Sequence, residues 1–199
     1  MRFSRTRFLL LLTALVLLLT TLAHADSQAG VDAYKRMDYG TVLHEWLPLA
    51  EQGDAMGQYY FGVLYEEGGD VPQDDTHAQE WLLKAAAQGD KGAQVTLGFL
   101  YAMGRGVSQD YALAREWYLK AAAQGVALAQ YSLGLLYANG QGVSQDYVQA
   151  HMWVNLAAAQ GQEEAVAMRD EIAQEMTPEQ IAEAQRLARE WKPIRSMVE

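Results

Sequence analysis

The stretch Gln94-Val-Thr-Leu-Gly-Phe-Leu-Tyr101 returns 36 positions later as Gln130-Tyr-Ser-Leu-Gly-Leu-Leu-Tyr137. Outside this stretch, the same interval separates Gly53, Gly89, Gly125 and Gly161. Self-similarity at a fixed period of this length is the signature of a repeat protein, in which neighbouring units stack to bury a continuous core. We therefore divide the chain into three full units, 54–89, 90–125 and 126–161.

Each unit is predicted to form two helices, here called helix A and helix B. In the middle unit, helix A is expected over about 90–103, because Leu97, Leu100 and Tyr101 share one face at helical spacing. Gly104 and its neighbours end it, and helix B follows until Gly125. The N-caps of the three B helices are predicted to be Asp74, Asp110 and Asp146.

Glycine recurs in the middle of helix A, where each one costs about 1 kcal/mol relative to alanine. We interpret Gly62, Gly98 and Gly134 as points where helices A and B approach closely. The small partners on helix B are predicted to be Ala78, Ala114 and Ala150. The regular spacing of Trp81, Trp117 and Trp153 favours core packing over a sugar-binding platform.

The regions flanking the three units are predicted to cap the array. Residues 26–53 are interpreted as a degenerate N-terminal helix pair, and 162–199 as C-terminal capping helices. Within the latter, Thr177-Pro-Glu-Gln180 resembles a capping box with proline at the first helical position. The mature chain is thus predicted to be all-α, with about ten helices in one right-handed α-α superhelix.

The first 25 residues have the pattern of a secretory signal peptide. Three arginines precede the apolar run Phe8–Leu19, which is shorter than the roughly 20 residues of a spanning helix. Ala23-His-Ala25 is a small-x-small cleavage site. We expect cleavage after Ala25, a periplasmic or secreted mature protein, and no stable membrane insertion afterwards.

The chain has no cysteine and a formal net charge of −10. Removing the three leader arginines leaves 12 basic against 25 acidic residues, a balance of −13. A surface this acidic repels nucleic acid, so we exclude nucleic-acid partners. The absence of cysteine excludes disulfides and zinc–thiolate sites.

The repeated pattern resembles the Sel1-like repeat, a relative of the tetratricopeptide repeat. Its residues in the third unit are Ala129-Gln-x-x-Leu-Gly-x-x-Tyr137, then Gly-x-Gly-Val143, Asp146, Ala150, Trp153 and Ala-Ala-x-Gln-Gly161. The resemblance covers 54–161 and, more weakly, about 30–53. One departure is Asp70, where the other units have Gly106 and Gly142. The resemblance implies a binding scaffold, adaptor or regulator in the cell envelope or outside the cell.

Candidates for catalysis are few. The mature histidines, His44, His77 and His151, form no zinc motif, and no serine stands in a nucleophile motif. We therefore assign no catalytic residue, metal ligand or cofactor, and predict that the chain is not an enzyme. Two alternatives stay open, a cell-wall or β-lactam-directed hydrolase and a peptidoglycan-binding module. The hydrolase rests on resemblance to β-lactam-binding Sel1-like relatives, whose repeats each contain a disulfide that this chain lacks.

The partner is predicted to be another protein, bound by a monomer through a peptide or helix in the concave groove of the A helices. Repeat positions that vary while the scaffold stays constant indicate this groove. They are Tyr60, Thr96 and Ser132, two residues before the helix A glycine, and Glu67, Met103 and Asn139 near the helix end.

Overall fold

The computed structural model describes residues 29–68 and 73–194; the predicted signal peptide 1–25 and Asp70 lie outside these ranges. Within them the chain is helical and contains no strand. Helix α1 occupies residues 29–35. The following helices are α2 (Tyr39–Glu51), α3 (Ala55–Glu67), α4 (Asp75–Ala87), α5 (Lys91–Met103), α6 (Tyr111–Ala123), α7 (Ala127–Asn139), α8 (Tyr147–Ala158), α9 (Glu163–Gln174) and α10 (Pro178–Glu190). The predicted all-α class, a solenoid of helix pairs, is confirmed.

The predicted aspartates cap the B helices. The Asp110 carboxylate accepts hydrogen bonds from the backbone N–H groups of Ala112 and Leu113 at 2.9 and 3.0 Å. Asp74 and Asp146 make the equivalent bonds at the starts of α4 and α8. These bonds satisfy donors that a helix N-terminus leaves without an intrahelical partner. The capping box at Thr177 is also present, with Pro178 as the first residue of α10.

The loops within the helix pairs are closed by repeated hydrogen bonds. In the α7–α8 pair, the Asp146 N–H donates to the Tyr137 carbonyl at 3.0 Å, and Nε2 of Gln145 donates to the Ala138 carbonyl at 2.7 Å. Gly140 ends α7 with a φ of 66°, the left-handed geometry that glycine adopts without strain. The α5–α6 pair is closed in the same way. The loop sequence therefore fixes how each B helix returns along its A helix.

The described residues form two compact units, divided between Ala85 and Ala86 inside α4. The first unit has a core around Trp46, which is fully buried and whose ring stacks on Tyr60 with centroids 4.1 Å apart. The second unit, from Ala86 onward, has a larger core in which Leu133 is fully buried.

Close approach at the mid-helix glycines is confirmed. A Cβ added to Gly134 would overlap Cγ2 of Val154 and lie 3.2 Å from the carbonyl oxygen of Ala150. A Cβ at Gly98 would lie 2.5 Å from the ring of Tyr118. Each glycine therefore makes room for a B-helix side chain four positions after the predicted alanine, and at Gly62 and Gly134 the carbonyl oxygen of that alanine also lies close.

The tryptophan series is only partly buried. Trp153 lies in the core as predicted, with 7% exposure, and Trp46 of α2 is fully buried. The prediction is wrong for Trp81 and Trp117, which are half-buried. A lysine three positions further along each helix places Nζ 3.9 and 3.8 Å from these ring centroids, an arrangement that leaves the ammonium in water. Trp153 lacks this lysine and contacts Trp191, with ring centroids 6.1 Å apart.

A second series with the 36-residue period is polar and buried. Its members are Gln58, Gln94 and Gln130, with 5%, 4% and 0% exposure. Nε2 of Gln124 donates to Oε1 of Gln94 at 2.9 Å, and Gln160 makes the equivalent bond to Gln130 at 2.8 Å. These glutamine pairs tie the first turn of each A helix to the end of its own B helix.

Candidate functional site

An open cleft of about 660 Å³ lies in the second unit between α7 and α9. On α7 it is lined by Tyr131, Leu135 and Asn139, which are four residues apart and so share one helix face. Ala138 of α7 and Tyr147 of α8 also line it. The α9 wall consists of Glu164, Ala167, Met168, Glu171, Ile172, Gln174 and Glu175. We call this feature the α7–α9 cleft.

The α9 wall of the cleft is acidic. Glu164, Glu171 and Glu175 are all exposed, and none of the described residues lining the cleft is Lys, Arg or His. Arg169 is the basic residue of α9, and its guanidinium pairs with its neighbour Asp170 at 2.8 Å. That arginine is therefore engaged outside the lining of the cleft.

The equivalent face of α5 carries exposed apolar side chains. Phe99 and Met103 stand 36 residues before Leu135 and Asn139, and they are 41% and 55% exposed. On α3 the same positions are Val63 and Glu67. Because Phe99 and Met103 are four residues apart on α5, they share one helix face and expose apolar area side by side.

Three of the six predicted groove residues occupy equivalent positions at the ends of α3, α5 and α7. Asn139 lines the α7–α9 cleft, and Met103 is exposed at the equivalent position of α5. Glu67 is exposed on α3 and accepts a hydrogen bond from the Tyr34 hydroxyl at 2.6 Å. Burial raises the pKa of Tyr34, and the hydrogen bond to Glu67 raises it further.

The other three predicted residues have different neighbours. Tyr60 stacks on Trp46, the core tryptophan of α2. The hydroxyl of Thr96 donates to the Gly92 carbonyl at 3.0 Å, and that of Ser132 donates to the Leu128 carbonyl at 2.9 Å. These three positions are not among the described lining of the α7–α9 cleft.

Sequence reasoning missed the residues next to the predicted ones. Tyr131 and Leu135 lie one turn apart on α7, and a rotation of one residue separates Tyr131 from Ser132. The repeat register also continues into α9, where Ala165 stands 36 positions after Ala129 and both are fully buried. Extending the register by one unit would have identified α9 as a further A helix and Glu171 as equivalent to Leu135.

The histidines serve the scaffold. Nδ1 of His77 lies 2.8 Å from the Asp74 carboxylate, and this bond raises the pKa of His77. His151 is 2% exposed, and burial lowers its pKa, with the charge of Arg169 lowering it further. Within 29–68 and 73–194, no group of three or more metal-ligating side chains comes together. No helix in those same ranges has the length and apolarity needed to cross a bilayer.

The helix pairs, the mid-helix glycines and the shared cleft face define a helical-repeat protein of the tetratricopeptide-like class. The Sel1 repeat family model matches residues 55–90, 92–126 and 127–162, so the chain belongs to the Sel1 repeat family. Proteins of this family are generally scaffolds for protein–protein interaction.

Several solved structures are similar to the chain, and two of them are described here. One is a Sel1 repeat protein from Oxalobacter formigenes, with 35% identity, a TM-score of 0.67, and coverage of 72% of this chain and 59% of that one. The other is c5321, a protective antigen present in uropathogenic Escherichia coli strains displaying an SLR fold, with 28% identity and a TM-score of 0.59. That match covers 83% of this chain and 44% of the antigen. No curated protein matches significantly.

Proposed function

We propose that this protein is a non-catalytic interaction protein that holds a segment of another protein in the α7–α9 cleft. The observation that carries the proposal is the composition of that cleft, in which Tyr131, Leu135 and Met168 provide apolar area beside exposed carboxylates. Apolar area gives affinity on burial, and charged groups at the rim give orientation. Membership of a family of interaction scaffolds supports the same assignment.

Within the second unit, the partner is proposed to extend from the cleft along the equivalent face of α5. Asn139 and Met103 are proposed contact residues of this face, while Tyr60, Glu67, Thr96 and Ser132 stay predictions. Association costs on the order of 4–15 kcal/mol, so a few apolar anchors with polar contacts suggest micromolar affinity.

Site-specific crosslinking tests this function, because the cysteine-free chain gives a single label at any introduced cysteine. Asn139→Cys and the control Glu116→Cys, on the exposed surface of α6, are labelled with a benzophenone maleimide and irradiated in an extract of producing cells. We expect a discrete protein adduct from position 139 and none from position 116. Adding Ala167→Trp, which fills the cleft from α9, should abolish the adduct, whereas Ala182→Trp on the exposed side of α10 should not. Identical adducts from both labelled positions would overturn the proposal.

We further propose that the mature protein begins at Asp26, is a monomer and acts in the periplasm or outside the cell. The support is the leader pattern, with its basic start, apolar run and Ala23-His-Ala25 site. Intact mass measurement of the protein recovered from the periplasm and the medium checks the first residue. A protein that retains Met1 and stays in the cytoplasm would contradict this localisation.

A further inference from the structure

We propose that the segment bound in the α7–α9 cleft is a basic amphipathic helix from a partner protein, an inference that rests on the proposed function above. Glu164 and Glu171 lie on the cleft side of α9, and Glu175, its C-cap residue, also lines the cleft. From Glu164 to Glu175 the rise of an α-helix gives an acidic row about 16 Å long. A row of that length matches about three turns of a bound helix.

Charge complementarity determines the sign of the partner's charge. No basic side chain belongs to the described lining of the cleft, so a bound cation meets three carboxylates without competition from within it. An acidic segment would meet like charges on the same wall, which disfavours it strongly. The whole chain is also negatively charged, with a net charge of −10, so long-range attraction favours a basic partner as well.

The apolar and aromatic side chains of the cleft explain why the partner is amphipathic as well as basic. Leu135 of α7 and Met168 of α9 provide an apolar floor, and methionine adapts to differently shaped side chains. The half-buried rings of Tyr131 and Tyr147 can each accept a lysine or arginine over the ring face. A helix with an apolar stripe flanked by cations can therefore pack on the apolar side chains and pair with the carboxylates at the same time.

The test uses two fluorescent peptides, each about four helical turns long. They share one leucine and alanine stripe and differ only in having lysine or glutamate on the flanks. Fluorescence anisotropy with residues 26–199 is expected to give micromolar binding of the lysine peptide and at least about tenfold weaker binding of the glutamate peptide. The lysine peptide should also weaken as salt rises from about 0.05 to 0.3 M.

Charge reversal places the binding in the cleft. Glu171→Lys should weaken the lysine peptide by about tenfold and strengthen the glutamate peptide. The matched control Glu116→Lys makes the same charge change on α6, outside the cleft, and should leave both affinities within about twofold. Glu171→Gln, which only neutralises the charge, should give a smaller loss. Circular dichroism should show that all three variants keep the helical content of the wild type.

Three results would overturn the inference: no binding of the lysine peptide, equal binding of the two peptides, or equal effects of the Glu171 and Glu116 reversals. The proposed function fails on a different result, the loss of specific crosslinking at position 139. Persistent crosslinking without preference for the lysine peptide would leave the cleft as the protein-binding site and refute the basic partner alone.

Discussion

At the scale of a residue, Gly134 sets the distance between two helices. Because this residue has no Cβ, Cγ2 of Val154 occupies the space where one would stand, and the Ala150 carbonyl lies 3.2 Å from it. The intrinsic cost of a mid-helix glycine is about 1 kcal/mol. Dense packing across the helix pair offsets that cost, since many atom pairs reach contact distance together.

Gly134→Ala is expected to destabilise the protein by about 1–3 kcal/mol, despite the better helix propensity of alanine, because the added methyl overpacks the contact with α8. Urea unfolding monitored by circular dichroism gives the free energy of unfolding. In a Val154→Ala background the same substitution should cost less, which would show coupling between the two positions. An additive double variant would mean that the glycine is not needed for that side chain.

At the scale of an element, α8 has a capped N-terminus and a buried titratable side chain. Asp146 caps its first turn by accepting from the Gln149 N–H at 3.0 Å. One turn further on, His151 is 2% exposed, and its Nδ1 has no hydrogen-bond partner among the described residues. The cap satisfies an N–H group of the first turn, whereas the buried histidine favours the folded protein only while it is neutral.

Replacing Asp146 should lower the free energy of unfolding by an amount that depends on whether the new side chain can accept a hydrogen bond. Asp146→Ala is expected to lower the free energy of unfolding by about 0.5–2 kcal/mol, and Asp146→Asn by less, because an asparagine oxygen can still accept from the N–H groups of the first turn. Thermal unfolding of both variants beside the wild type measures the difference. Equal losses would imply that charge at the helix start matters more than the hydrogen bond.

The pKa of His151 should make α8 sensitive to acid. Its folded pKa is lowered by burial, so the unfolded chain binds the proton more readily. The histidine is therefore neutral in both states above the unfolded pKa of about 6.5, and stability falls as the pH drops from there through the folded pKa. His151→Gln should remove this part of the acid-induced loss, measured as the difference in unfolding free energy between pH 7.5 and 5.5 in wild type and variant. An NMR titration giving His151 a pKa above about 6.5 would contradict the prediction.

At the scale of the whole molecule, the repeat explains which features could be predicted. Helix bounds, the aspartate caps and the close contact at Gly134 follow from positions that recur with identical neighbours, so local rules apply equally in each unit. The lining of the α7–α9 cleft did not follow, because Ser132 and Tyr131 are adjacent and a helix turns by about 100° between them. Whether Tyr131 or Ser132 lines the cleft depends on the position of α9. The sequence of α9 preserves only the small residues of the repeat pattern, such as Ala165.

The C-terminal segment is expected to stabilise the second unit as a whole. Trp191 packs on Trp153, and beyond it the Ile194 N–H donates to the carbonyl of Ala123 at the end of α6 at 2.6 Å. Trp191→Ala should therefore lower the free energy of unfolding by about 2–3 kcal/mol, whereas Lys192→Ala, at an exposed position, should change it by less than about 0.5 kcal/mol. Tryptophan emission should shift to the red in the first variant as Trp153 meets water. An unshifted spectrum would show that another group shields that ring.

The glutamine pairs bear on how genes for such proteins can change length. Gln94 and Gln124 lie within one period, as do Gln130 and Gln160, and each pair spans 30 residues. An unequal crossover between equivalent codons adds or removes one whole period, and so adds or removes a complete donor and acceptor together. Such an event separates neither glutamine of a pair from its partner, which avoids the cost of about 1–3 kcal/mol for losing that hydrogen bond. Recombination can thus lengthen or shorten this array in steps that leave its interior chemistry intact.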